Sequence, residues 1–336
     1  MAQSPNHRSN SPGAIVLQPG AEPSPGYKLR RVRGRGGFAE VWEAWAPSGP
    51  PVALKCIPVS NGSSTVREVR SMQAFLSLQH PHLVKTNAVW SLPGYIVINM
   101  ELAEATLLDL MLVYHNELNQ QIDPAMLCLY LWQVSAALDF LNARQHNFDG
   151  RRVGFQHGDV KPNNLLLIGD TAKLTDHGLA TPTHGPNTPC PRQGTREYAA
   201  PEVFHGYYSD WSDQFSLAVT YHVLRTGTFP FPPPPDTLTR TFARPPADLS
   251  LVDGPEQAPL ARALSPVPQD RWPSCRDFMA EMLAAHKLKV VGATDGPWKV
   301  VKDTAPSQPA AAKHGSSMLR IPTVNRPGHF RRSGHD

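Results

Sequence analysis

His157-Gly158-Asp159-Val160-Lys161-Pro162-Asn163-Asn164 is followed by Leu165-Leu166-Leu167-Ile168 and then by Lys173-Leu174-Thr175-Asp176-His177-Gly178. Two aspartates and an asparagine stand around what reads as a short strand pair. One carboxylate and one amide are hard oxygen ligands of the kind that hold a divalent cation against phosphates. The second carboxylate is then available to orient a hydroxyl and take its proton. A merely solvated loop would not be expected to repeat this spacing.

Upstream, Gly34-Arg35-Gly36-Gly37-Phe38-Ala39-Glu40-Val41 forms a glycine-rich turn between two strand-like runs. Without Cβ atoms, such a turn lets backbone N–H groups approach a phosphate closely. Val52-Ala53-Leu54-Lys55 sets a lysine at the end of an apolar strand, where it either reaches the surface or points at an anion. Glu68, within Arg67-Glu68-Val69-Arg70, falls on a stretch with helical spacing from Ser64 to Leu78. Taken singly, these three features read as an ordinary hairpin, a surface lysine and a solvated helix face. Their order ahead of the Asp159 segment changes that reading.

The whole chain has 336 residues, of which 35 are proline. Proline lacks a backbone donor and breaks helix interiors and central strands, so an all-helical bundle or a coiled coil is excluded. The 24 glycines have no period of three, which excludes collagen. The net charge of +4 resides in the C-terminal stretch, because residues 287–336 hold nine basic and three acidic residues. Such a stretch more often solubilises than binds, so it makes no strong case for nucleic acid or anionic lipid. Cys56, Cys128, Cys190 and Cys275 are far apart and form no CxxC pair, which suits a reducing, cytoplasmic compartment. No apolar signal-peptide core opens the chain, and the apolar run Met126 to Leu141 reads as a buried helix rather than a membrane span. A soluble protein, or one recruited by a partner, is therefore expected.

Residues 1–26, rich in Ser, Pro, Asn and Gly, read as a disordered leader. From Tyr27 to Ile98, short β-branched and aromatic runs separated by Gly and Pro predict a small antiparallel sheet with one helix. After Leu102 the pattern is helical, at Leu107–Leu118, Pro124–Ala143, Ser212–Leu224 and Trp272–Ala285. Residues 229–273 hold twelve prolines and read as short helices joined by stiff loops. The fold class is α+β, and the chain beyond Lys287 is expected to be a mobile basic tail.

These motifs together resemble the eukaryotic-type protein serine/threonine kinases of bacteria, over residues 27–286. Gly194-Thr195-Arg196-Glu197-Tyr198-Ala199-Ala200-Pro201-Glu202 resembles that family's substrate-docking segment, and Asp270-Arg271-Trp272 its late arginine motif. The resemblance implies a bilobal fold, with a small lobe at 27–101 and a larger, mostly helical lobe at 104–286. It implies transfer of the γ-phosphoryl of ATP to a Ser or Thr hydroxyl of a protein substrate, with Mg2+ as cofactor and Mn2+ as the alternative. By the same resemblance, the hairpin from Gly34 through Gly36 and Phe38 to Val41 covers the phosphates. Lys55 contacts them and pairs with Glu68, Asp159 accepts the hydroxyl proton, and Lys161 neutralises the γ-phosphate. Asn164 and Asp176 hold the metal. Val41, Ala53 and Leu166 sandwich the adenine, Met100 stands before the hinge of Glu101, Leu102 and Ala103, and Glu202 pairs with Arg271.

Three positions depart from the pattern. Ala39 replaces a glycine. His177 replaces a phenylalanine, which would make activity sensitive to pH if the imidazole charges in a buried site. Gly158 replaces the arginine that binds a phosphate on the activation segment, so activity is expected not to depend on phosphorylation at Thr181, Thr183 or Thr188. Two other functions compete: an ATP-binding pseudokinase scaffold, and a small-molecule phosphotransferase of the aminoglycoside-kinase type. Filled catalytic positions argue against the first. Lys161 and the segment from Gly194 to Glu202, which serve polypeptide substrates, argue against the second. The sequence leaves the oligomeric state unknown.

Overall fold

The computed structural model describes residues 15–36, 39–59, 78–148, 150–176, 180–190, 194–235, 242–292 and 298–303. Phe38, Glu68 with the expected helix around it, and His177 lie outside these residues.

The N-terminal lobe is one antiparallel sheet built from β1 (Lys28–Arg35), β2 (Glu40–Trp45), β3 (Val52–Pro58), β4 (Thr86–Leu92) and β5 (Tyr95–Glu101). Its spatial order is β1-β2-β3-β5-β4. Strand side chains alternate between faces, so Ala53 and Lys55 share one face of β3 while Leu54 and Cys56 share the other. Leu54 and Cys56 join Leu29, Trp42, Ala44 and Val97 in the outer core of the lobe. Ala53 faces the second lobe with Val84 and Met100. The register places Ala53 opposite Met100, and Lys55 between Val41 and Ile98.

The leader expected up to residue 26 is corrected in its second half. Leu17 and Ala21 pack against the outer core, and Leu29 N–H donates to Ala21 O at 2.8 Å. Apolar residues at 17 and 21 are too few to give a periodic signal, yet sufficient to cover the exposed edge of β1.

In the second lobe, β6 (Ala105–Thr106) leads into α1 (Leu107–Leu112), which continues as a π-helical turn over Val113–Glu117. The capping box between Thr106 and Asp109 starts that helix. Helix α2 (Pro124–Asn142) begins at Asp123, whose carboxylate accepts from Ala125 and Met126 N–H, with proline at its first position. It is apolar and long enough to cross a membrane, but Leu127, Leu131, Val134, Leu138 and Leu141 are core residues of the lobe.

The chain then forms β7 (His146–Phe148), β8 (Arg151–Gln156), β9 (Leu165–Ile168), β10 (Thr171–Leu174), β11 (Thr181–Thr183) and β12 (Thr188–Pro189). After α3 (Pro201–Phe204) and β13 (Tyr207–Tyr208) comes α4 (Ser212–Thr226), buried from Ser212 to Arg225 with Asp213, Gln214, Thr220, His222 and Arg225 hydrogen-bonded inside the lobe. Helices α5 (Gly254–Ala263) and α6 (Cys275–Ala285) complete the lobe.

The boundary expected at Lys287 is also corrected. Strands β14 (Leu288–Val291) and β15 (Lys299–Lys302) form a hairpin packed on α6 and α2. Leu288, Val290 and Val300 contact the main core, and Trp298 stands edge-on to Trp132 at 6.5 Å. The lysines alternating with these residues mask the apolar face when only composition is considered. The basic tail beyond residue 303 lies outside the described residues.

Candidate active site

The segment between β8 and β9 is held from below by α4. Asp213 accepts from His157 N–H at 2.7 Å and from Gly158 N–H at 2.9 Å. Burial pushes the Asp213 carboxyl up, against these two hydrogen bonds and the nearby His157. The His157 ring meets Thr175 O at 2.7 Å, which joins the segment to the residue before Asp176.

Asp159 lies at the centre and is buried. Its Oδ2 meets Lys161 Nζ at 2.7 Å and accepts from Asn164 Nδ2 at 3.0 Å. Its Oδ1 accepts from Thr195 N–H at 2.8 Å. Burial raises the pKa of this group, but the bonds from Lys161 and Thr195 outweigh it, so the carboxyl is held below the usual aspartate range. Lys161 also donates to Thr195 Oγ1 at 2.6 Å. One ammonium thus ties the catalytic-loop carboxylate to the docking segment.

Asn164 donates to Asp159 O at 2.8 Å, and its own carbonyl accepts from Thr175 N–H at 3.0 Å. Asp176 follows directly and has a positive φ of 72°. An aspartate tolerates this left-handed conformation better than most residues. Its carboxylate pairs with Lys55 across the cleft between lobes. Burial works against ionisation there, but the Lys55 ammonium prevails and holds Asp176 below its usual range. Asn164 and an ionised Asp176 form a hard-oxygen donor set that suits a divalent cation. Among the described residues no three His, Cys, Asp or Glu side chains gather into a metal cluster, so phosphate and water would supply the remaining ligands.

Val41, Ala53, Met100, Leu102 and Leu166 gather with Val84 into one apolar cluster under the sheet. The residues expected to sandwich adenine thus come together from both lobes. Glu101 turns away from it, to Lys173 at 2.8 Å and to Lys85 N–H at 2.7 Å. Gly34 pairs with Val41, and Gly36 N–H donates to Ala39 O at 2.9 Å, closing the turn of the hairpin. Ala103 contributes its carbonyl to Arg33, whose Nη2 spans Ala103 O at 2.9 Å and Glu104 O at 2.7 Å. Arg33 was not singled out from the sequence, where it stands among four arginines of β1 with nothing local to distinguish it.

Below the docking segment, Arg271 forms a bidentate pair with Glu202, 2.8 Å on each side. Both residues are fully buried. Gly158 has a φ of 76°, and a Cβ there would strike the Tyr208 hydroxyl. Tyr208, on β13, thus stands where a side chain at position 158 would begin. The strand pairs β11 with β8 and β12 with β13 hold the activation segment on either side of it.

Residues 27–295 match the family model described as Protein kinase domain. The serine/threonine-protein kinase PknF of Mycobacterium tuberculosis is 30% identical, the match covering 89% of this chain and 63% of that protein. PknH of Mycobacterium bovis is 29% identical over 90% of this chain and 50% of its own length. CBL-interacting protein kinase 4 of rice, Oryza sativa subsp. japonica, is 32% identical over 77% of this chain and 56% of that protein. The chain therefore spans half to about three-fifths of the length of these curated relatives. The matched residues take in the hairpin, the Asp159 loop, the docking segment and Arg271, and the chain belongs to the protein kinase domain family.

Proposed function

We propose that this chain transfers the γ-phosphoryl group of ATP to a serine or threonine hydroxyl of a protein substrate. The observation that carries the reading is the junction at Asp159, where Lys161 and Thr195 bind the carboxylate of the catalytic loop to the docking segment. A small-molecule phosphotransferase has no use for that junction, and a scaffold without transfer has no use for an ionised Asp159 facing it.

In this mechanism the substrate oxygen forms a bond to the γ-phosphorus as the bridging bond to ADP breaks. Asp159 orients the hydroxyl and accepts its proton, and its lowered pKa keeps it ionised at neutral pH. Lys161 balances charge on the transferring group. Lys55 exchanges part of its contact with Asp176 for the α and β phosphates. Asn164 and Asp176 would hold magnesium, or manganese in its place, and this ion supplies positive charge against the phosphates. Val41, Ala53, Met100 and Leu166 enclose the adenine, with Ala103 at its edge. Little covalent chemistry falls to the protein, so positioning and preorganised charge dominate.

The activation segment is held by strand pairing, with Tyr208 filling the space beside Gly158. This supports activity without a phosphate there. The Cys56 and Cys128 thiols, which burial pushes up to about 12 and so keeps protonated, suit a reducing, cytoplasmic setting. The test is transfer of labelled γ-phosphate to β-casein by the wild type and by Asp159→Asn. Transfer by the first and its loss in the second is the expected result. No transfer by the wild type at any magnesium or manganese concentration overturns the reading.

A further inference from the structure

The docking segment is an irregular loop, whose backbone carbonyls have fewer partners than a strand or helix would provide, Arg196 O accepting a long 3.3 Å bond from Ala199 N–H. Three of them are taken up by one side chain from far along the chain. The two N–H groups of Arg244 Nη2 are shared among Arg196 O at 2.6 Å, Glu197 O at 3.0 Å and Ala199 O at 2.9 Å. Its Nε donates to Ala199 O at 3.1 Å. A planar guanidinium suits this arrangement because its donors leave in fixed directions.

The fork is itself immobilised. Its carbon lies 5.0 Å from the Phe204 ring and 4.9 Å from the Phe231 ring. Pro245 and Pro246 stiffen the chain immediately after it, and Asp248 N–H donates to Pro230 O at 2.8 Å, closing the base of the segment. The opposite side of the same loop carries Thr195, bound to Asp159 and Lys161. The loop is thus gripped between the reacting carboxylate and Arg244.

We propose that Arg244 is a positioning residue for the protein substrate. It fixes the backbone of residues 196–199, against which a polypeptide must lie, and through Thr195 it sets how the substrate hydroxyl meets Asp159. The proposal rests on the protein-kinase reading above. It adds a determinant of substrate binding that lies outside the loop itself and is separate from the residues assigned to ATP.

Arg244→Met keeps the stem and its apolar contacts but removes every donor. The expected result is a KM for β-casein raised at least fivefold with the KM for ATP within twofold of wild type. Hydrogen exchange at residues 196–199 accelerates at least tenfold while that of α4 is unchanged. Arg244→Lys, which retains the charge without the fork, falls between the two, and it carries the test if the methionine variant does not fold. A casein KM that ignores both substitutions in an active enzyme overturns the positioning role alone. Proportional loss of casein and ATP binding overturns it also, since that is the mark of general unfolding. A wild type silent toward casein, in which Arg244→Met still loosens residues 196–199, overturns the transfer reading and the substrate half of this proposal with it.

Discussion

Glu202 and Arg271 are 1% and 0% exposed, whereas Asp176 and Lys55 keep 32% and 18% of their side chains exposed. The buried pair is saturated. Glu202 also accepts from Ser209 and Ser212, and Arg271 also donates to Trp211 O and Ser265 O. The open pair is not saturated in this way: the ammonium of Lys55 has three donors, and Asp176 has lone pairs beyond the one that meets it. Two carboxylate–cation pairs of the same chemistry thus do opposite things. One is closed to every other ligand and fixes the chain, and the other retains capacity for phosphate and a metal ion.

That contrast can be broken from either side. Lys55→Met removes the open cation, and phosphoryl transfer should fall at least about 100-fold, the usual scale for losing one preorganised charge at a reacting group. The melting temperature should hardly move, so thermal unfolding beside a transfer assay checks both halves. Arg271→Met does the reverse. It leaves the Glu202 carboxylate buried without its cation, which costs about 3–5 kcal/mol and should lower the melting temperature by more than about 6 °C. Activity per folded molecule should stay near wild type.

A pH series sharpens the difference. Burial opposes ionisation of Glu202, but Arg271 outweighs it and holds the carboxyl below its usual value. A depressed acid contributes stability above its unfolded value and loses it as pH falls through the folded one. The advantage of wild type over Glu202→Gln in urea unfolding should therefore be full at pH 7 and shrink below about pH 4. The smallest effect is expected in the activation segment. Thr183 is buried on β11, and Thr181 and Thr188 lie in paired strands. Alanine at all three should leave more than one tenth of the transfer rate, and a larger loss would show that phosphorylation is needed after all.

How much of this could be read from the sequence follows the range of the interactions. Asp159, Lys161, Asn164 and Asp176 lie within eighteen residues, so their spacing alone exposes the chemistry. Ala53 and Lys55 follow from strand alternation, and the burial of α2 from its apolar content. Arg244, Arg33 and Tyr208 were not legible. Each acts on backbone or space brought near by tertiary folding, and no local pattern separates a clamping arginine from a solvated one. The hairpin after α6 was missed for a related reason. Alternating lysines lower its hydropathy, although Val290, Val300 and Trp298 face the core.

That hairpin also bears on where the catalytic unit can be cut. Arg276 lies 3.7 Å from the Trp132 ring and 5.4 Å from the Trp298 ring, so one cation is shared by two indoles that meet edge-on beside α2. A chain ended at Lys287 would strip one indole from this cluster and leave the other more open to water beside an apolar helix. The shortened protein should then be prone to stick to itself, and the natural seam for excision lies after Asp303.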